Sequence, residues 1–242
     1  MSSAPDQSEY DIRCEWGAPG LAAHLAGSAV IVIVDVMSFC TAVDVAVSRQ
    51  ARVYPLSGYN GAQDYADKLG AQLASRDRRA GPSLSPASLT ALPPLSRIVI
   101  PSPNGAALSC ATAQTPTLAG CLRNAAAVAG YAQQIGRPIT VIPAGERWRD
   151  GSLRPALEDW LGAGAIIHHL QGRRSTEAAA AEAVFLALRD KLSDTIYGCV
   201  SGRELVERGF SADVALAAAL NVSNAAPSLV EGAYEAWISN QG

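Results

Sequence analysis

Lysine is nearly absent from this chain, confined to Lys68 and Lys191, neither of them near a predicted strand end, so lysine-based covalent chemistry has little room. A basic surface is missing too: 19 Lys and Arg stand against 22 Asp and Glu, a net charge of -3, which offers a polyanion no complementary field and excludes nucleic acid as a partner. The cysteines Cys14, Cys40, Cys110, Cys121 and Cys199 form no CxxC pair, so neither a zinc knuckle nor a disulfide framework is expected, and reduced thiols are. No apolar run approaches the roughly 18 residues of a membrane span, and the polar, acidic N-terminus lacks a signal-peptide core. A soluble, cytoplasmic protein with no membrane partner is therefore expected. Also missing are a GxSxG elbow, a Walker A loop and a GxGxxG turn after a strand, which sets aside serine hydrolases, P-loop enzymes and dinucleotide enzymes. His24, His168 and His169 make no ligand set, because adjacent histidines leave a helix on different sides.

What the chain does have is an unbroken β-branched run, Val30-Ile31-Val32-Ile33-Val34, followed by Asp35. Such a run has no polar face for water and reads as a central parallel strand covered on both sides. Asp35 then sits at its carboxyl end, the edge where open α/β sheets bind ligands. With 49% hydrophobic and 17% charged residues over 242 positions, there is enough chain for one large α/β domain. Residues 1–9 read as a loose tail and 10–242 as a single domain, with two subdomains divided near 76–96 as the alternative. Tyr10 to Trp16 alternates like a half-exposed edge strand. Strands at 97–101, 117–119 and 139–142 each deliver small or polar residues to what reads as one edge of a mostly parallel sheet, and helices dominate the last third. Residues 76–95 show no periodicity. They predict a long loop, either a binding loop or lid, or a mobile surface segment.

Helix N-termini at Ser38, Asn104-Gly105 and Arg123-Asn124 could together hold a phosphate, although Asn-Gly after a strand reads equally as a plain tight turn. Asp35, Glu146, Glu158 and Asp159 are hard oxygen ligands of the kind magnesium uses, which suits magnesium-assisted phosphoryl hydrolysis. Carboxylates opening a helix, as at Glu158 and Asp159, also occur simply as dipole partners.

The stretches Val30 to Ala42 (VIVIVDVMSFCTA), Ser102 to Ala107 (SPNGAA), Leu122 to Ala129 (LRNAAAVA), Val141 to Gly145 (VIPAG), Leu157 to Ile166 (LEDWLGAGAI) and Ser201 to Val214 (SGRELVERGFSADV) resemble, in order and spacing, the 2-phosphosulfolactate phosphatase family. The resemblance implies a three-layer α/β/α fold with a helix-rich C-terminal third. It also implies a magnesium-dependent phosphatase acting on a small anionic phosphate ester, 2-phosphosulfolactate, on a route toward coenzyme M or sulfolactate. By the same resemblance Asp35, Glu158 and Asp159 are catalytic, Asp35 and Asp159 hold Mg2+, and Ser38, Asn104, Gly105, Asn124 and Gly145 bind substrate. A homodimer is a further expectation.

The chain departs from the family where Ser38 replaces an arginine after the aspartate strand. The family's Gly-Glu pair is not recognisable near Ser75 to Gly81, and its Asn-Gly-Thr reads Asn104-Gly105-Ala106 here. Arg123, beside Asn124, is the expected replacement cation. Two rivals follow. One is an isochorismatase-like cysteine hydrolase using Cys199 and Lys68. The other is a family member without turnover that survives as an anion-binding or scaffolding protein.

Overall fold

The computed structural model describes residues 7–236. Among these, eleven strands form: β1 (Ile12–Cys14), β2 (Val30–Val34), β3 (Arg52–Leu56), β4 (Gln72–Leu73), β5 (Arg97–Pro101), β6 (Thr117–Gly120), β7 (Ile139–Pro143), β8 (Glu146–Arg147), β9 (Leu153–Arg154), β10 (Pro227–Val230) and β11 (Ala233–Ala236). The helices are α1 (Gly17–His24), α2 (Phe39–Val47), α3 (Ala62–Leu69), α4 (Gly105–Cys110), α5 (Ala125–Ile135), α6 (Leu157–His169), α7 (Thr176–Leu188), α8 (Leu192–Gly198), α9 (Val200–Glu207) and α10 (Ser211–Ala218). The fold is α/β, with a mostly parallel sheet between helical layers and a helix-rich segment from α6 to α10. β8 and β9 form a separate two-stranded ribbon.

The large sheet has the order β1-β7-β2-β6-β10-β11-β3-β5-β4. Neighbours are parallel except where β10 and β11 intervene, and those pairings are antiparallel. The block β1-β7-β2-β6 therefore runs opposite to the block β3-β5-β4. The single parallel edge that the sequence suggests is therefore absent, yet the exits of β5 and β2 still meet, with Gly105 N donating to Asp35 Oδ2 at 2.9 Å.

β2 is buried along its whole length, as its β-branched run predicts. On one face α6 packs so closely that glycine is required: a Cβ on Gly162 of α6 would lie 2.8 Å from Val34 Cγ1, and one on Gly120, at the end of β6, 2.5 Å from Ile166 Cδ1 of α6. α2 is buried on all its sides, enclosed by β3, β6, β10, β11, α4 and the turn Pro86–Leu89. That turn belongs to the segment 76–95, which is a packed cover, with Ser83, Ser85, Leu89 and Leu92 buried. Isolated anchors of this kind leave no period in a sequence.

Several expectations change. β1 lies at the sheet edge but is buried throughout, because α7 packs against it. Of the tail expected over 1–9, residues 1–6 lie outside the described residues. Gln7 is buried and grips β1, its amide donating to Cys14 O at 2.9 Å and accepting from Cys14 N at 3.0 Å. A break near 76–96 does not divide the sheet, since β4 pairs directly with β5 across that segment.

Candidate active site

Asp35 is 5% exposed, and both of its oxygens are held by backbone N–H groups from two elements. Phe39 N donates to Oδ1 at 3.1 Å, and Gly105 N donates to Oδ2 at 2.9 Å. Ser38 occupies the position before α2 without capping it; Asp35 performs that role. The approach of α4 depends on glycine, because a Cβ on Gly105 would stand 2.6 Å from Phe39 Cδ1 and 2.7 Å from Asp35 Oδ2.

Asp159, in the first turn of α6, joins two strand ends. Its Oδ1 accepts from Val36 N at 2.7 Å, just beyond β2, and its Oδ2 from Gly145 N at 2.8 Å, just beyond β7. Gly145 makes this turn with φ +67°, and a Cβ there would lie 2.9 Å from Arg154 O. Glu158 is buried beside Asp159. Glu146 Oε2 accepts from Asn104 Nδ2 at 2.9 Å, linking the β7 exit to the β5 exit. A cavity of about 260 Å³ opens against this pair, walled by Ala107, Leu108, Ala144 and Leu153. A larger cavity of about 750 Å³, at the turn between β10 and β11, holds none of these acids.

The acids disturb one another. Burial raises Asp35 above the usual carboxylate range against the pull of its backbone donors, and the charge of Glu158 adds to the rise. Burial and the charges of Asp35 and Glu158 raise Asp159 well above that range. Glu146 is pushed up to about 7 by burial and by Asp35, with the Asn104 hydrogen bond opposing. The geometry thus supplies a carboxyl group that changes charge near neutral pH, as a general acid or base requires.

A pH-dependent stability follows. The unfolded carboxyl loses its proton near 4.5, whereas folded Glu146 keeps it to about 7. The contribution is complete below about 4.5 and is lost as pH rises through 7. Asp35 and Asp159, also raised, act in the same direction. Glu146→Gln should therefore shrink the drop in Tm of the metal-free protein between pH 5 and pH 8. An unchanged drop would remove Glu146 from the cluster's titration.

Asp35, Asn104, Gly105, Gly145, Glu158 and Asp159 thus meet in one place, with Ser38 at its margin. Arg123 and Asn124 do not join them, which corrects the expected anion contact. Arg123 Nε pairs with Asp44 Oδ2 at 2.8 Å, in the second turn of α2, and Asp44 is fully buried. Asn124 is consumed locally: its Oδ1 accepts from Cys121 N and its Nδ2 donates to Ala119 O. The turn after β6 therefore locks α2 to the sheet.

Sequence reasoning missed Arg78, whose Nη2 donates to Ser38 Oγ at 2.7 Å. It stands among Arg76, Asp77 and Arg79 in the aperiodic segment, where no pattern separates it from its neighbours. The thiol of Cys199 faces Glu158 and is pushed up to about 12, first by burial and then by that charge, the reverse of what a thiolate nucleophile needs. Lys68 is exposed on α3. Neither residue supports the cysteine-hydrolase rival.

The family model of 2-phosphosulpholactate phosphatase matches residues 20–232 of the chain. A 2-phosphosulfolactate phosphatase from Methanothermobacter thermautotrophicus is 28% identical over 218 residues, covering 86% of this chain and 90% of that relative. A probable 2-phosphosulfolactate phosphatase from Carboxydothermus hydrogenoformans is 27% identical over 208 residues, covering 81% and 84%. No described helix is long and apolar enough to cross a membrane.

Proposed function

The chain belongs to the 2-phosphosulpholactate phosphatase family, and from that premise we propose that it hydrolyses a small phosphate monoester, 2-phosphosulfolactate foremost, to the free alcohol and inorganic phosphate with Mg2+ as cofactor. The observation that carries this reading is the group of mutually repelling acids at the junction of β2, β7 and α6, with Asp35, Glu158 and Asp159 buried and Glu146 half-buried. Such a group is costly without a cation.

The donor set fits magnesium. No three His, Cys, Asp or Glu side chains form a metal cage among the described residues, but magnesium needs one or two carboxylates and leaves its other positions to water and phosphate oxygens. Asp35 and Asp159 would hold it. Each of their oxygens accepts one backbone N–H and retains a lone pair. When bound, the metal would neutralise phosphate charge and acidify a water.

The protein's own residues do the rest. Water adds to phosphorus, the P–O bond to the organic group breaks with its electrons on that oxygen, and one proton must leave the water while another reaches the departing alkoxide. Glu146, near neutral in pKa and held by Asn104, serves that proton traffic. Glu158 adds negative potential that keeps the cation and the Glu146 proton in place. Ser38, at the start of α2, would turn its hydroxyl to a substrate oxygen.

Phosphate release from 2-phosphosulfolactate and phospholactate, measured with magnesium and with EDTA, tests this. Release with magnesium and its loss in EDTA is expected. Release indifferent to EDTA would overturn the metal, and no release from a broad ester panel would leave the anion-binding reading.

A further inference from the structure

The segment between β4 and β5 carries a guanidinium to the carboxyl end of β2. Besides its bond to Ser38, Arg78 places Nη1 3.0 Å from Asp213 Oδ2, with its side chain 14% exposed. Asp213, in the first turn of α10, is 2% exposed and spends its other oxygen on the same segment: Oδ1 accepts from Ser85 Oγ at 2.6 Å and from Ala87 N at 3.0 Å. One buried carboxylate thus fixes both the fold of the segment and the direction of the guanidinium. Phe210, whose ring centre lies 5.6 Å from Arg78 Cζ, supports its flat face.

A guanidinium has five N–H donors, and only those toward Ser38 and Asp213 are engaged among the described residues. Ser38 Oγ accepts from Arg78, so its own O–H is left to donate. Arginine and serine together present several donors at the strand end, an arrangement that matches phosphoryl oxygens. Asp213 is the cation's single acidic hydrogen-bond partner, so Arg78 keeps attraction for a polyanionic group.

We propose that Arg78, with Ser38, binds the phosphoryl group of the substrate and that Asp213 is the positioning residue for Arg78, so that a segment distant in sequence supplies the cation absent from position 38. This rests on reading the neighbouring acids as a phosphatase centre.

The test is calorimetric binding of inorganic phosphate to the full chain in magnesium, alongside steady-state kinetics, for Arg78→Ala, Arg78→Lys and Asp213→Asn. Losing a charge-assisted contact of this kind corresponds to roughly a ten- to hundredfold weaker Kd for phosphate, expected for Arg78→Ala with KM rising in parallel. Arg78→Lys keeps the charge without the fork. Asp213→Asn keeps an oxygen for Ser85 and Ala87 but can turn an amide N–H toward Arg78. Both should weaken phosphate by about five- to tenfold, with KM rising more than kcat falls. Folded variants with wild-type phosphate Kd, even if their Tm falls, would overturn the assignment and leave Asp213 a purely structural role. Wild-type protein that binds no phosphate would overturn it as well. If Arg78-dependent binding occurs with no ester hydrolysed, the phosphatase reading fails and the anion site stands. If hydrolysis proceeds at unchanged KM in the Arg78 variants, the reverse holds.

Discussion

Asparagine at Asp35 is expected to lower kcat/KM by about a thousandfold, equivalent to about 4 kcal/mol of transition-state stabilisation, while the protein stays folded. The side chain keeps its shape, and its carbonyl oxygen can still accept one of the two backbone N–H groups that now reach Asp35. What disappears is the negative charge where β2, α2 and α4 converge. The amide also turns its own N–H toward the donor of either Phe39 or Gly105, which misaligns it. Glutamate would not rescue: the space beside Asp35 is already filled, as the 2.7 Å from a Gly105 Cβ to Oδ2 demonstrates. Kinetics paired with a thermal melt check this. Activity within tenfold of wild type in a folded Asp35→Asn protein would remove Asp35 from the catalytic centre.

Arg123→Ala is expected to cost about 3–5 kcal/mol of stability and to leave KM for a phosphate ester unchanged. Asp44 is fully buried, with Arg123 on one oxygen and the Ser223 hydroxyl on the other at 2.6 Å. Burial already raises its pKa against the hydrogen bonds from Ser223, Arg123 and Asn124. Without the arginine, the carboxylate has no countercharge and must take up a proton to remain inside. The loss should therefore be larger at pH 8 than at pH 5, because folding then favours the protonated form and stability falls as pH rises. Replacing Asp44 by asparagine in the same protein should recover part of the loss. Urea denaturation at the two pH values, on wild type and both variants, measures this. Unaltered stability together with a raised KM would return Arg123 to the anion site.

The positions where sequence reading held and failed share a physical pattern. Val30 to Val34 was legible because a strand covered on both faces needs no polar side, so its β-branched run is unbroken. Asp35, Glu158 and Asp159 were legible as neighbours because a strand exit and a helix opening are predicted at the same sheet edge. Arg123 was placed with Asp35 because proximity in sequence to Asn124 stood in for proximity in space. In the fold, the turn after β6 faces Asp44 of α2. β1 was misread because alternation between apolar and charged residues normally marks one wet face. Here Arg13 is 4% exposed, with its guanidinium satisfied by the carbonyls of Ser8, Tyr10 and Gly27.

The sequence by itself determined the strands and helices, the family, and the acids at the ends of β2 and β7 and the start of α6, since each follows from local periodicity or from an ordered set of motifs. Only the tertiary structure decided the opposed directions of the two parallel blocks, the burial of α2 beneath the segment 76–95, and which arginine reaches Ser38. Those outcomes depend on strand directions and on single anchors such as Asp213 with Ser85, which act between residues more than a hundred positions apart and leave no repeating trace along the chain.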